Sequence, residues 1–418
     1  MDDNPIRCPD PAVTVRVPGS KSLSQRALVA ATLAQGDSMI SNLLVSEDTL
    51  YMIGALRELG AKIVDAPDGF QVTGTAGKIE NSGRDLFLGN NGTALRFLTA
   101  LVCLGKGQYV LTGEKRLCER PVGALGNALK DMGVDIRTHN HCPPVTINAG
   151  GLAGGKITLR DIESSQYVSA LLLCAPYTDR GIELSLEGGV VSAPYIDLTI
   201  AVMEDFGVTI SKPERFAYRV NAGEPYRGRR YVVEGDASSA SYFFLAAALL
   251  KTTIRVEGIS RESRQGDIRL LDVLEKLGCR FRSTTNGVDV TGGTLLKGDR
   301  VFDFGDMPDM VPTLAVLSAF REGQTVINNV AHLRIKESNR LAAVATELRR
   351  AGIDAREIPD GLVIKGGRMR PAKIETYNDH RMAMSFAIAG LVVPGIDIRD
   401  KKCVDKSFPS FWEELRRL

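Results

Sequence analysis

Lys21 stands between two serines in "VPGSKSLSQRALVAATLA", and Arg26 follows on the next turn, at the mouth of an alanine-rich helical run. Helix starts favour side chains whose oxygens satisfy free N–H groups, and the positive end of the macrodipole disfavours Lys and Arg there. A bound anion compensates, because N–H groups, hydroxyls and cations all converge on it. A solvated surface lysine accounts equally well for a single instance. The arrangement recurs, however, in "GNNGTALRFLTALVCLG", "ESSQYVSALLLCAP", "GDASSASYFFLAAALL", "PDMVPTLAVLSAF" and "NDHRMAMSFAIAGLV". The cations at or near these helix mouths are Lys21, Arg26, Arg96, Arg120, Lys336, Arg340, Arg381 and Lys406, with His380 beside Arg381. Converging on one cleft, they are too many for a neutral ligand and point to two small polyanions, with Arg suited to bidentate contact and Lys to a compact charge. For each cation taken singly, a structural salt bridge remains the alternative.

Carboxylates at these places are fewer. Asp309 opens the helix of "GDMPDMVPT", and Glu337 follows Lys336 in "LRIKESNRL". Set among cations, the pair can accept and donate protons; Asp309 can instead simply cap its helix. The four-residue spacing of Lys336 and Arg340 predicts one shared helical face, with Glu337 rotated about 100° from Lys336.

The elements that must position these residues repeat about every 70 residues. Between the polar helix mouths lie second helices that end on glycine before a short strand: "ALRELGAKI", "ALKDMGVDI", "VMEDFGVTI", "VLEKLGCRF" and "ELRRAGIDA". Each unit reads strand, helix, strand, helix and two strands, with Gly or Asn-Gly hairpin turns. Six units are expected, the last truncated. A chain of 418 residues exceeds the roughly 250–300 at which one core stops growing, so three units fall to each of two domains. The expected boundaries are 18–230 for the first domain, and 1–17 with 231–418 for the second, with the active site in the cleft between them. The fold class is α/β, with outward-facing sheets around buried helices.

A net charge of +2 and 24% charged residues give no global preference for nucleic acid or membrane. No signal peptide is read in "MDDNPIRCPD", and a cytoplasmic protein is expected. Cys8, Cys103, Cys118, Cys142, Cys174, Cys279 and Cys403 form no C-x-x-C pair and read as reduced thiols. "HNHC" at His139 to Cys142 lacks a second cluster to complete a metal site, and no metal or other cofactor is expected. "GGLAGGKI" opens like a phosphate-binding loop, but Ile157 stands at the Ser/Thr position and a strand follows, so it reads as a turn between strands.

"PGSKSLSQRAL", "GNNGTALRFL", "LTGEKRLCERPV", "SSQYVSALL", "SAPYIDLT", "EGDASSASYF", "RIKESNRLAAVATELR", "YNDHRMAMSFAIAG" and "VDKSFPSFWEEL" together resemble the 5-enolpyruvylshikimate-3-phosphate synthase family, in order and almost end to end. The resemblance implies metal-free transfer of the enolpyruvyl group of phosphoenolpyruvate to the 5-hydroxyl of shikimate 3-phosphate, through a tetrahedral intermediate, by a monomer. It implies that Lys21, Ser22, Arg26, Ser164, Ser165, Gln166, Ser192, Asp309 and Lys336 hold shikimate 3-phosphate, with Tyr195 against its ring. Lys21, Gly92, Arg120, Gln166, Arg340, Arg381 and Lys406 are implied to hold phosphoenolpyruvate, and Asn90, Thr93, Arg96 and His332 complete the substrate-binding set. Asp309 is then the base for the 5-hydroxyl, Glu337 with Lys21 the acid for the vinyl methylene, and His380 a further catalytic group. Two βαβαββ-repeat domains are the implied fold.

Asn91, Phe97 and His332 depart from the family's usual Ala or Ser, Pro and Asn. A bulkier Asn91 is expected to narrow the phosphoenolpyruvate pocket against glyphosate, unless its amide braces the neighbouring helix mouth. The related enolpyruvyl transferases acting on UDP-N-acetylglucosamine are the nearest alternative. They carry Lys-Asn where this chain has Lys21-Ser22, and a reactive Cys where it has Lys115. A non-catalytic anion-binding protein is the alternative of another class, and it needs no poised carboxylates.

Overall fold

A computed structural model describes residues 10–189 and 191–418. Cys8 and the first nine residues of the expected 1–17 segment lie outside the described residues. The fold divides into two units, one of Gly19–Val233 and one of Glu234–Leu418 joined by the N-terminal strand ahead of Pro18. Both divisions fall slightly later in the chain than the expected 17/18 and 230/231. Strand pairing gives the reason: Arg230–Val232 runs parallel to Asp37–Ser41 in the first unit, and Val13–Arg16 runs parallel to Thr253–Glu257 in the second.

Every full repeat builds one four-stranded sheet in which the first strand is parallel to the second, and the fourth lies between the second and the third. Leu86–Phe87, Lys106–Thr112, Cys142–Gly150 and Asp135–His139 follow this order, as do Gly155–Arg160, Ile182–Glu187, Ala217–Val220 and Ile210–Ser211. In the second unit the sixth repeat reduces to Ala372–Ile374 beside Ile396–Ile398. Strands alternate, as Gly69–Thr73 does with Phe70 and Val72 buried and Gln71 and Thr73 exposed, so one face of each sheet meets solvent.

The first helices of the repeats are α1 (Lys21–Leu33), α2 (Gly92–Leu101) and α3 (Gln166–Cys174) in the first unit. In the second unit the corresponding positions are α4 (Ala237–Leu250), α5 (Val311–Ala319) and α7 (His380–Gly390), and α6 (Arg340–Arg350) is the second helix of the fifth repeat. "ASSASYFFLAAALL" of α4 has no polar face broad enough for water, so it belongs inside, and Tyr242 to Ala247 are at most 1% exposed. The second helices end as their glycines require. Gly60 (φ 97°) and Gly352 (φ 83°) take left-handed conformations that let the next N–H bond back into the helix, Ala61 to Leu56 and Ile353 to Leu348. "HNHC" is a hairpin tip, with Asn140 and His141 both at positive φ, and "GGLAGGK" links two strands. No helix of the described residues is long and apolar enough to cross a membrane.

Candidate active site

The predicted site residues fall into two clusters, one in each unit. In the first unit, Arg26 is nearly fully buried on α1. Its Nε donates to Thr199 Oγ1 at 2.8 Å, Nη1 to the Ser22 carbonyl at 2.9 Å and Nη2 to the Tyr195 carbonyl at 3.0 Å. The guanidinium also lies against the rings of Phe97 and Tyr195. Burial pushes its pKa down to about 10. All of these acceptors are uncharged, and burying a cation among neutral groups is costly. Arg96 repeats the arrangement on α2, donating to the carbonyls of Gly92 and Pro121 and, at 2.9 Å, to Gln166 Oε1. Gln166, the first residue of α3, in turn donates from Nε2 to Thr93 Oγ1 at 3.0 Å.

Around these lie buried Ser164, Ser165 and Ser192, the last at φ 57°, and Arg120, which donates to the Asn90 carbonyl. Ser165 and Ser20 occupy the N-cap positions of α3 and α1 without side-chain caps, so the N–H groups of both helix mouths are not covered by their own caps. Lys21 pairs with Asp48 at 3.0 Å. A Cβ added at Gly92 would displace the guanidinium groups of Arg120 and Arg96, so the absence of a side chain here lets both stand where they do. This cluster is cationic and rich in hydroxyls, a combination suited to phosphate.

The cluster in the second unit balances its cations with carboxylates. Asp309 accepts from Arg340 Nη1 at 2.8 Å and from Arg381 Nη2 at 2.7 Å. Burial alone would raise the Asp309 carboxyl, but Arg381, Arg340 and Lys336 outweigh it and hold the group well below the usual carboxylate range. Glu337 Oε2 accepts from Arg340 Nη2 at 2.9 Å. Asp379, fully buried, accepts from Arg340 Nε at 2.7 Å and from Ser338 Oγ at 2.9 Å, while capping α7 through the Arg381 N–H. Against the cost of burial, three carboxylates raise the Arg340 pKa above its ordinary value. His380 is buried at the start of α7, with Nδ1 4.0 Å from Asp379. Lys406 and His332 are buried in the same unit, and burial, reinforced by Lys336, pushes the His332 imidazole down to about 4.

One expectation is overturned. Lys336 and Arg340 do not share a helical face, because α6 begins only at Arg340. Asn339 caps it, its Oδ1 accepting from the Ala342 N–H, and Ser338 turns to Asp379. Lys336 and Glu337 therefore occupy a bend ahead of the helix, and Glu337 reaches Arg340 from there. Asn91 resolves to the bracing alternative: Oδ1 caps α2 at the Ala94 N–H, and Nδ2 donates to the Asp48 carbonyl at 2.7 Å.

A family model described as EPSP synthase (3-phosphoshikimate 1-carboxyvinyltransferase) matches residues 11–415. The chain belongs to the EPSP synthase family. It is 44% identical over 403 residues to the 3-phosphoshikimate 1-carboxyvinyltransferase of Nostoc punctiforme, covering 96% of this chain and 94% of that one. It is 42% identical to the Photorhabdus laumondii protein of the same name over 97% of this chain and 96% of that one. The solved EPSP synthase of Acinetobacter baumannii superposes with a TM-score of 0.79 at 28% identity, covering 98% of this chain and 96% of that one. Two similar α/β units of repeated βαβαββ elements are thus the architecture of an EPSP synthase.

Several groups packed against the predicted site residues of this EPSP synthase family member were not among those expected from the sequence. Asp379 was legible as an N-cap at a helix mouth rich in cations, whereas Thr199 and Ser169, which share Arg26, come from elements far along the chain. Asp267 is a buried carboxyl that accepts from Ser238 Oγ; burial, then the charge of Asp309, raise its pKa.

Proposed function

We propose that this chain transfers the enolpyruvyl group of phosphoenolpyruvate to the 5-hydroxyl of shikimate 3-phosphate. The observation that carries the reading is the grip of Arg340 and Arg381 on Asp309. Two guanidinium groups offering one N–H each to a carboxylate form a clamp that an incoming carboxylate can take over. As phosphoenolpyruvate occupies the clamp, Asp309 loses the cations that hold its pKa down and gains the basicity needed to accept the 5-hydroxyl proton. The hydroxyl oxygen then bonds to C2 of phosphoenolpyruvate while Glu337, assisted by Lys21, delivers a proton to the methylene, giving the tetrahedral adduct. Loss of a methyl proton and of phosphate gives the enol ether.

The first unit supplies what the phosphates require: Arg26, Ser164 and Ser165 for shikimate 3-phosphate, with Ser22, Ser192, Gln166 and Tyr195 around the ring, and Lys21, Arg120 and Gly92 for phosphoenolpyruvate. Lys336 and His332 add contacts to shikimate 3-phosphate, and Lys406 adds one to phosphoenolpyruvate. The reading includes a monomeric, cytoplasmic protein, which sedimentation and fractionation test. Phosphate release is measured with phosphoenolpyruvate and either shikimate 3-phosphate or UDP-N-acetylglucosamine. Turnover with the first acceptor alone is expected. Turnover with the nucleotide sugar alone, or with neither, defeats the proposal.

A further inference from the structure

The segment leading into α7 holds two consecutive non-glycine residues in the left-handed region, Tyr377 at φ 57° and Asn378 at φ 53°. Such conformations persist where the surroundings over-determine them, and they cluster where a backbone must present functional groups. The surroundings here centre on Glu347, a fully buried carboxylate in the last turn of α6. Its Oε1 accepts from the Tyr377 hydroxyl at 2.7 Å, and its Oε2 from the Glu375 N–H at 3.1 Å and from Arg350 Nη1 at 2.9 Å. The Tyr377 side chain is 43% exposed, so its ring gains little from burial, and anchoring the segment is what its hydroxyl does. Burial, followed by the bond to Glu347, pushes the Tyr377 phenol up to about 12, and it stays a donor at neutral pH.

The segment and α6 are thus tied at two places. One tie is Arg340 to Asp379; the other is Glu347 to Glu375 and Tyr377, seven residues or roughly 10 Å further along α6. One tie alone leaves the segment free to pivot; two fix its register. A buried apolar residue would satisfy packing at lower electrostatic cost, whereas a carboxylate can accept a backbone N–H and a phenol together in one geometry.

We propose that Glu347 is a positioning residue whose carboxylate sets the register of segment 375–379 against α6, and so fixes where Arg381 stands relative to Arg340. The proposal rests on the reading of Arg340 and Arg381 as the clamp for phosphoenolpyruvate. It distinguishes the two substrates, because most of the groups proposed for shikimate 3-phosphate, Arg26, Ser164 and Ser165 among them, belong to the first unit, whereas the segment belongs to the second.

The test compares Glu347→Ala, Glu347→Gln, Tyr377→Phe and Arg381→Lys with the unaltered chain, measuring both KM values and kcat well below each melting temperature. Glu347→Ala is expected to raise KM for phosphoenolpyruvate about tenfold and leave KM for shikimate 3-phosphate within twofold. Tyr377→Phe should raise the first about threefold, and Glu347→Gln, which keeps an acceptor for the Glu375 N–H, should recover most of the loss. If Arg381→Lys raises KM for phosphoenolpyruvate but Glu347→Ala and Tyr377→Phe do not, the positioning role is overturned and the clamp stands. If Arg381→Lys has no effect, the clamp reading fails and takes the proposal with it. Should Glu347→Ala not fold, Tyr377→Phe, altered at a half-exposed side chain, decides alone.

Discussion

Replacing His332 by Asn, the residue often found there in the family, removes a histidine that the fold keeps uncharged. Its imidazole is 7% exposed, burial is the main cause of its depressed pKa, and Lys336 and Arg340 add to it while Asp309 opposes them. A fall from 6.5 to about 4, at about 1.36 kcal/mol per pKa unit, corresponds to about 3 kcal/mol. Between pH 6.5 and 4 the unfolded chain takes up a proton that the native protein refuses, so stability falls as pH falls through this window; above it the contribution vanishes. The chain has four histidines, so the ring protons of His332 are assigned by the variant and followed by NMR from pH 8 to 4. His332 is expected to titrate near 4 in the unliganded protein, and to titrate higher once shikimate 3-phosphate places a dianion nearby. Urea denaturation should show His332→Asn losing about 3 kcal/mol less than the unaltered chain between pH 7 and 4. Titration at 6.5 or above without ligand, or equal acid sensitivity in the two proteins, refutes the reasoning.

Asp309→Asn should lower kcat by a factor of about 10²–10⁴, as expected for loss of a general base, yet bind phosphoenolpyruvate more tightly because the Asp309 carboxylate no longer holds Arg340 Nη1 and Arg381 Nη2. Weaker binding by calorimetry would count against the displacement. Asn91→Ala removes the α2 cap and should cost about 1 kcal/mol. It should also shift the glyphosate inhibition constant and KM for phosphoenolpyruvate in parallel; a selective change in the first would restore the steric role the side chain does not show. Gly92→Ala forces Arg120 and Arg96 aside and should raise KM for phosphoenolpyruvate several-fold with little loss of melting temperature. An unchanged KM would remove Arg120 from that substrate.

The repeat was legible because each unit is punctuated locally: glycine after the second helix, small polar residues before the first. Those signals depend on backbone conformation and survive without knowledge of neighbours. The cations were legible for the same reason, being misplaced against the helix dipole. Asp379 and Asp267 were not singled out, because their importance lies in which distant arginine or serine they meet. The helix assigned to Lys336–Arg340 shows the opposite limit. Spacing permitted a shared face, but Asn339 caps the helix at the Ala342 N–H, while Ser338, an equally good cap by type, is drawn to Asp379 across 41 residues of chain.

The opening sheet of each unit takes its first strand from a remote part of the chain, Arg230–Val232 in the first unit and Val13–Arg16 in the second. During synthesis at roughly 5–20 residues per second, Val13–Arg16 leaves the ribosome on the order of 10–50 s before Thr253–Glu257, the strand it must lie beside. Over that interval it is an unpaired strand with an apolar face, and such a segment is open to pairing with other chains. The first unit, likewise, carries an open edge at Asp37–Ser41 until Arg230–Val232 emerges. A nascent chain of this protein therefore has two unsealed edges for close to half of its synthesis, and chaperone demand should fall on that period more than on the finished fold.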